Sequence, residues 1–164
     1  MINRLINKIL TAGILATVLL LTACREDIVY SRFVSVSDAE TPVSPKGWHM
    51  DSVVHIQYSI PDANASYQVL VYVRHTEHYP YQNMWLFIGD SVRQDTIEFY
   101  LADDRGQWLG DKHHGFIEMP VLFEESKQYA DTTVQHLFIR HGMRDSVLRG
   151  VTEVGVEIIR NGEE

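Results

Sequence analysis

The sequence holds no pair of cysteines. Cys24 is the only one in 164 residues, so no disulfide forms within the chain and its stability must come from a packed core. It has no basic surplus either: 22 acidic residues stand against 14 basic ones, a net charge of -8, which repels nucleic acid and anionic lipid headgroups. A membrane-crossing helix needs roughly 20 apolar residues, and the uncharged apolar stretch from Ile9 to Leu21 falls short of that. There is no glycine-rich phosphate loop, no redox Cys pair, no Gly-x-Ser-x-Gly elbow and no Ser-His-Asp constellation. No segment combines the 3.6-residue period with the length of an amphipathic helix.

What is present begins with an export signal. Arg4 and Lys8 precede the apolar stretch, Leu21-Thr22-Ala23-Cys24 closes it, and Arg25-Glu26-Asp27 follows. The last four apolar-to-small residues resemble the lipobox of bacterial lipoproteins. That resemblance implies a diacylglyceryl group on the Cys24 sulfur, cleavage before Cys24 and acylation of the new amino group. Each buried methylene contributes about 0.8 kcal/mol, so two or three long chains hold a protein to a membrane almost permanently. The expected organisation is a lipoprotein signal peptide over residues 1–23, a lipid-anchored tether or entry segment over 24–47, and a β-sandwich domain over 48–164. Two prolines and a glycine between Pro42 and Gly47 argue against regular structure there, whereas the apolar piece around Val29 to Val36 is able to pack as an edge strand. Loss of Arg4 and Lys8 with the leader removes no acid, so the mature chain is more acidic still.

Beyond Gly47, strand signals dominate. Val54, Ile56, Tyr58 and Ile60 alternate with His55, Gln57 and Ser59, and Tyr67, Val69, Val71 and Val73 repeat the pattern after a Pro61-Asp62-Ala63-Asn64 turn. Trp85 to Ile88, Ile97 to Leu101, Phe116 to Met119, Val134 to Arg140 and Val154 to Ile159 complete the series, with Val121-Leu122-Phe123 as a separate short strand or turn. Around eight short strands separated by turns predict an all-β, antiparallel, jelly-roll-like sandwich.

Three segments then carry a family resemblance. Arg74-His75-Thr76-Glu77-His78-Tyr79-Pro80-Tyr81-Gln82-Asn83-Met84-Trp85-Leu86-Phe87 is similar to an RNTxxYPYxNLxLF region, with His75 in place of the usual asparagine. Ala102-Asp103-Asp104-Arg105-Gly106-Gln107-Trp108-Leu109-Gly110 resembles ADxxGxWLG, and Met143-Arg144 with Leu148 to Val156 resembles MRxxxLxGVxxVGL. Together with Trp48-His49 and the lipobox, these pieces resemble the gliding-motility lipoprotein GldH family of Bacteroidetes and span nearly the whole mature chain. The resemblance implies a non-enzymatic accessory lipoprotein of gliding motility and type IX secretion, anchored in the outer membrane. It implies protein partners in that machinery, no cofactor, and no catalytic or ligand-binding residues to carry over. The periplasmic face is expected because the family works with periplasmic machinery; Arg25-Glu26-Asp27, similar to an acidic surface-export signal, points instead to the cell surface.

Tyr79-Pro80-Tyr81 presets a bend between two strands. Its rings either cover the sandwich edge or, with Trp108, form a partner-binding surface at Tyr79, Tyr81 and Trp108. Carbohydrate binding is the alternative function, with Trp48, Tyr79, Tyr81 or Trp108 stacking on sugar faces. His75, His78, His113 and His114 are the candidate zinc donors, and Asp103, Asp104 and Asp111 the candidate calcium donors, but neither spacing matches a known site and no metal is assigned. Glu77, Glu98, Glu118 and Asp104 are the carboxylates a glycosidase would need; any acidic sandwich supplies such a set. Asp-Ser/Thr-hydrophobic triplets begin at Asp51, Asp90, Asp95, Asp131 and Asp145 and resemble an O-glycosylation signal of exported Bacteroidetes proteins, although the same triplet also closes a turn and starts a strand.

Overall fold

The computed structural model describes residues 27–37, 47–90 and 93–162. The leader, Cys24 and the Pro42 to Lys46 stretch lie outside the described residues. Eleven strands follow in chain order: β1 (Asp27–Ser35), β2 (Trp48–His49), β3 (Val54–Tyr58), β4 (Tyr67–His75), β5 (Asn83–Gly89), β6 (Gln94–Tyr100), β7 (Asp111–Lys112), β8 (Ile117–Lys127), β9 (Gln135–His141), β10 (Val147–Leu148) and β11 (Val151–Arg160). The alternation read from the sequence sets their faces. Val54, Ile56 and Tyr58 of β3 are buried while His55 and Gln57 are exposed, and β4 buries every second residue from Tyr67 to His75.

The strands form two antiparallel sheets, ordered β1-β11-β4-β8-β7 and β3-β9-β5-β6, with a short β2-β10 ribbon beside them. Among the eight long strands, the first pairs with the last (β1 with β11) and the second with the seventh (β3 with β9). The third pairs with the sixth (β4 with β8) and the fourth with the fifth (β5 with β6). A chain doubled into one long antiparallel hairpin and wrapped around a core is a jelly roll, as the sequence predicts. Val69, Val71, Val73, Val154, Val156 and Ile158 from one sheet meet Ile56, Leu86, Ile88, Leu137 and Ile139 from the other in a single core. Each such side chain contributes about 1.5–3 kcal/mol by leaving water.

One element differs from the sequence reading. β8 runs unbroken through Pro120 to Lys127, whereas the sequence suggests a strand ending at Met119 and a separate piece at Val121 to Phe123. β7 pairs only with Ile117 and Glu118, so the rest of β8 is a sheet edge, where a missing N–H is tolerated. β1 occupies most of the first half of the stretch expected as a tether, and lies along β11 as the edge strand that its apolar residues allow.

The register gives the sandwich two ends. Asp27, Arg160, Tyr67 and Lys127 lie at one, and Ser35, Val151, His75 and Ile117 at the other. The outer face of the five-stranded sheet is knitted together. Arg74 donates to Glu118 at 2.6 Å and to Glu153 at 2.7 Å, and its guanidinium lies 3.6 Å over the Phe33 ring. Those hydrogen bonds raise the arginine pKa against the opposing effect of burial, which is the larger single influence. Gly155 leaves the space that Phe33 fills, since a Cβ there would overlap the ring. Beside it, Tyr72 and Ser31 both donate to Glu157 at 2.9 Å.

Candidate functional site at the His75 end

The segments singled out in the sequence all close on this end of the sandwich. The β4–β5 connection leaves His75 and turns at Thr76, which donates its backbone N–H to Gly150 O at 2.7 Å. Gly150 has φ of 83° and sits so close to Tyr79 that a Cβ would stand 2.6 Å from its backbone nitrogen, so only glycine fits the crossing. Tyr79 is buried, 3% exposed, and its hydroxyl donates to Asn83 O at 2.8 Å, which ties the motif to the start of β5. Burial raises the phenol pKa, so the ring stays neutral. No described peptide bond is cis, and the Tyr79–Pro80 bond is trans.

Around Tyr79 the rings pack edge on. His75 lies 5.6 Å from Tyr79 and 4.6 Å from Trp108, with Tyr81 5.9 Å from Tyr79. Trp108 is half-buried and reaches this position through an isolated bridge with Ala102. The Asp103 turn before it is closed by its own carboxylate, which accepts from the Arg105 and Gln107 backbone N–H groups at 2.9 and 2.7 Å. From the other side, Trp48 is wholly buried, donates to Ser52 O at 2.8 Å, and accepts at its own carbonyl from His141 at 3.1 Å. The β2–β10 ribbon sets Trp48 against Leu148, so the Trp48-His49 element and the third motif are neighbours.

Of the three candidate partner-binding residues, Tyr81 presents an exposed ring, 37% accessible, while Tyr79 is inside the core and Trp108 is partly covered. The Tyr81 hydroxyl donates to Asp145 at 2.8 Å, and that bond to a carboxylate raises its pKa. Trp48 and Tyr79, two of the rings considered for sugar stacking, are buried.

Two histidines are buried at this end. His75 donates from Nδ1 to Thr76 O at 3.0 Å and His141 from Nε2 to Trp48 O, leaving His75 Nε2 and His141 Nδ1 without a partner among the described residues. Burial lowers both pKa values, with the backbone hydrogen bonds opposing it. His78, His113 and His114 are exposed, and His113 stacks 5.0 Å from Phe116. Among the described residues no three His, Cys, Asp or Glu side chains converge on a metal. Three of the four carboxylates considered for catalysis are engaged separately, Glu77 with Lys112 at 3.9 Å, Glu98 with Asn83 at 2.6 Å and Glu118 with Arg74, and Asp104 is exposed in the turn before Trp108. Ser52, Thr96, Thr132 and Ser146 of the Asp-Ser/Thr triplets are exposed; Ser91 lies outside the described residues.

The sequence pattern does not single out His141 as a member of this end, nor the neighbouring hollow of about 290 Å³ lined by Tyr81, Asn83, Trp85, Gly142, Met143 and Arg144. The signal for the hollow was present as Met143-Arg144, but its partners arrive from β5, some sixty residues earlier. Met143 Sδ accepts from the Trp85 backbone N–H at 3.4 Å and joins the two.

The chain is similar to a gliding motility lipoprotein GldH homolog of Christiangramia forsetii, 25% identical over 154 residues and covering 87% of this chain and 90% of that one. It is 26% identical to the gliding motility lipoprotein GldH of Flavobacterium johnsoniae over 164 residues, covering 92% and 97%. Among solved structures, dimeric latent PorU from Porphyromonas gingivalis aligns over 85% of this chain and 14% of that chain, at 8% identity and a TM-score of 0.34. That likeness is too slight to add to the strand topology. The family model described as GldH lipoprotein matches residues 35–158, from the end of β1 to near the end of β11, and the chain belongs to the GldH lipoprotein family.

Proposed function

We propose that the protein is a non-catalytic outer-membrane lipoprotein, anchored through Cys24, that docks to and steadies components of the gliding or type IX secretion machinery. The signal peptide ends at Ala23 in this reading, and the domain faces the periplasm. The observation that carries it is the convergence of four separated family segments at the Tyr79 end. Trp48-His49, the Tyr79-Pro80-Tyr81 turn, the Trp108 loop and the Met143 to Gly150 segment are pinned to one another at a single end of the sandwich. Chain segments fixed this closely make a rigid surface whose exposed parts, Tyr81 and Leu109 at 37% and 53% accessibility, are available to a protein partner. A lipid anchor adds effective concentration for partners in the same membrane.

The test is crosslinking and gentle solubilisation of outer membranes carrying the full chain. Motility or secretion proteins should be recovered with the wild type and lost with Tyr81→Ala, while thermal unfolding of the variant stays close to wild type. Cys24→Ser should abolish labelled palmitate incorporation and release the protein from the membrane fraction. Unchanged recovery with Tyr81→Ala, or palmitate on the Cys24→Ser chain, would remove the reading.

A further inference from the structure

The outer face of the four-stranded sheet bears side chains that neither the core nor the pinned end uses. Alternation turns Trp85 and Phe87 of β5, Phe138 and Arg140 of β9, and His55 of β3 toward solvent, and register sets them side by side. Phe87 is opposite Arg140, and Phe138 is opposite both Gly89 and His55. The His55 and Phe138 rings are 4.5 Å apart and within 10° of parallel, His136 continues the stack 5.1 Å from His55, and Arg140 lies 4.6 Å over Phe87. Trp85 is 38% exposed. Two shallow hollows flank these rings: the one beside Trp85 and Arg144, and a second of about 270 Å³ lined by Val53, Phe87, Gly89, Asp90, Gln94, Phe138 and Arg140.

Aromatic rings and arginine are common to protein interfaces and sugar sites; this face is set apart by the polar side chain beside each ring. Here each exposed ring has a hydrogen-bonding side chain next to it: Arg140 beside Phe87, Glu98 opposite Trp85, Gln94 in the hollow with Phe138. Flat rings interleaved with donors and acceptors suit a pyranose, which lays its C–H face on an aromatic ring and directs its hydroxyls sideways. Charge narrows the class. The nearby carboxylates are already engaged: Glu98 and Asp145 by Asn83 and Tyr81, and Asp90, which lines the Arg140 hollow, by the Arg93 backbone N–H and Lys127. Arg140 and Arg144 have no carboxylate within 4.0 Å among the described residues. In a chain of net charge -8, these two guanidinium groups, one at each hollow and neither paired with a carboxylate among the described residues, are the charge complement of an acidic ligand.

We infer that this face binds an extended acidic saccharide, with Trp85, Phe87 and Phe138 as stacking rings and Arg140 and Arg144 holding its carboxylates. The Arg144 hollow shares Tyr81 with the proposed docking surface, whereas the Arg140 hollow does not, so Phe138 and Arg140 variants that leave protein capture intact separate this inference from the docking reading. The experiment is calorimetric titration of the full-length protein in detergent with tetragalacturonate and, separately, with its methyl ester, which keeps the rings and removes the charge. Saturable binding of the free acid is expected, about tenfold weaker for the ester. Trp85→Ala and Phe138→Ala should each lower affinity for the acid about tenfold or more. Arg140→Gln should lower it about fivefold while changing ester binding less than about twofold. Melting curves of all three variants control for folding, and Arg144→Gln is the second charge variant should Arg140→Gln unfold. Absence of saturable binding to the acid overturns the inference, as do equal affinities for acid and ester, insensitivity to Trp85→Ala, or a photocrosslinker at position 85 that captures only protein in outer membranes.

Discussion

The two outer faces of the sandwich come from the same period-two pattern and end up opposite in character. On the five-stranded sheet, the outward ring of Phe33 is pressed between Gly155 and the Arg74 guanidinium, and the cation is held by Glu118 and Glu153. On the four-stranded sheet, Arg140 also lies over a ring, Phe87, but no carboxylate stands within 4.0 Å of it among the described residues. One arginine–aromatic pair is closed by neighbouring acids and the other is left open. Alternation decides which residues face outward; cross-strand neighbours decide whether such a face is finished by the fold or remains for a ligand.

The largest expected effect is on the closed side. Arg74→Ala removes two charge-assisted hydrogen bonds and a stacking partner and leaves two partly covered carboxylates unpaired, so urea unfolding should show a loss of about 2 kcal/mol. A change below about 0.5 kcal/mol would erase the distinction between the faces. The next effect separates the interior from both surfaces. His75 and His141 have lowered pKa values when folded, so the unfolded chain binds protons more readily. Stability is therefore complete above about pH 6.5 and declines as the pH falls toward the folded values, by at most about 1.4 kcal/mol per pH unit for each histidine. His75→Asn, restoring the residue usual in the resembling motif, should flatten that decline in urea titrations between pH 7 and pH 5; an unaltered slope would assign the acid sensitivity elsewhere. The smallest effect belongs to the open face. Trp85→Ala should shift unfolding by no more than about 0.5 kcal/mol, because the ring supports little of the fold.

Much of the jelly roll was legible because single strands carry their own signature. Val54 to Tyr58, Tyr67 to Val73 and Val154 to Ile158 alternate cleanly, and those residues are the core. Pro120 hid the length of β8, since a proline reads as a break unless the strand is known to be an edge. The pairing of β1 with β11 joins residues more than a hundred positions apart and leaves no local mark. The same holds for the sites. Tyr79, Tyr81 and Trp108 stood out because motif residues surround them, and the structure does bring them together, with Tyr79 inward. His55 and Phe138 carry no site signal and Phe87 enters only as the last residue of a motif, because each is an ordinary outward residue of its own strand and only the register makes them a row.

The edge position of β1 bears on how the molecule stands. Only two residues separate Cys24 from Asp27, and two or three extended residues reach about 10 Å at most. With lipid on Cys24, as proposed above, the sandwich has no stalk at that point: its Arg160 end is held down near the headgroups. The nine residues of β1 then climb about 30 Å along the sheet edge before reaching Ser35. On that reading Tyr81 and the loops gathered around Tyr79 would stand as the crown of a post, turned toward whatever lies across the gap rather than toward the lipid.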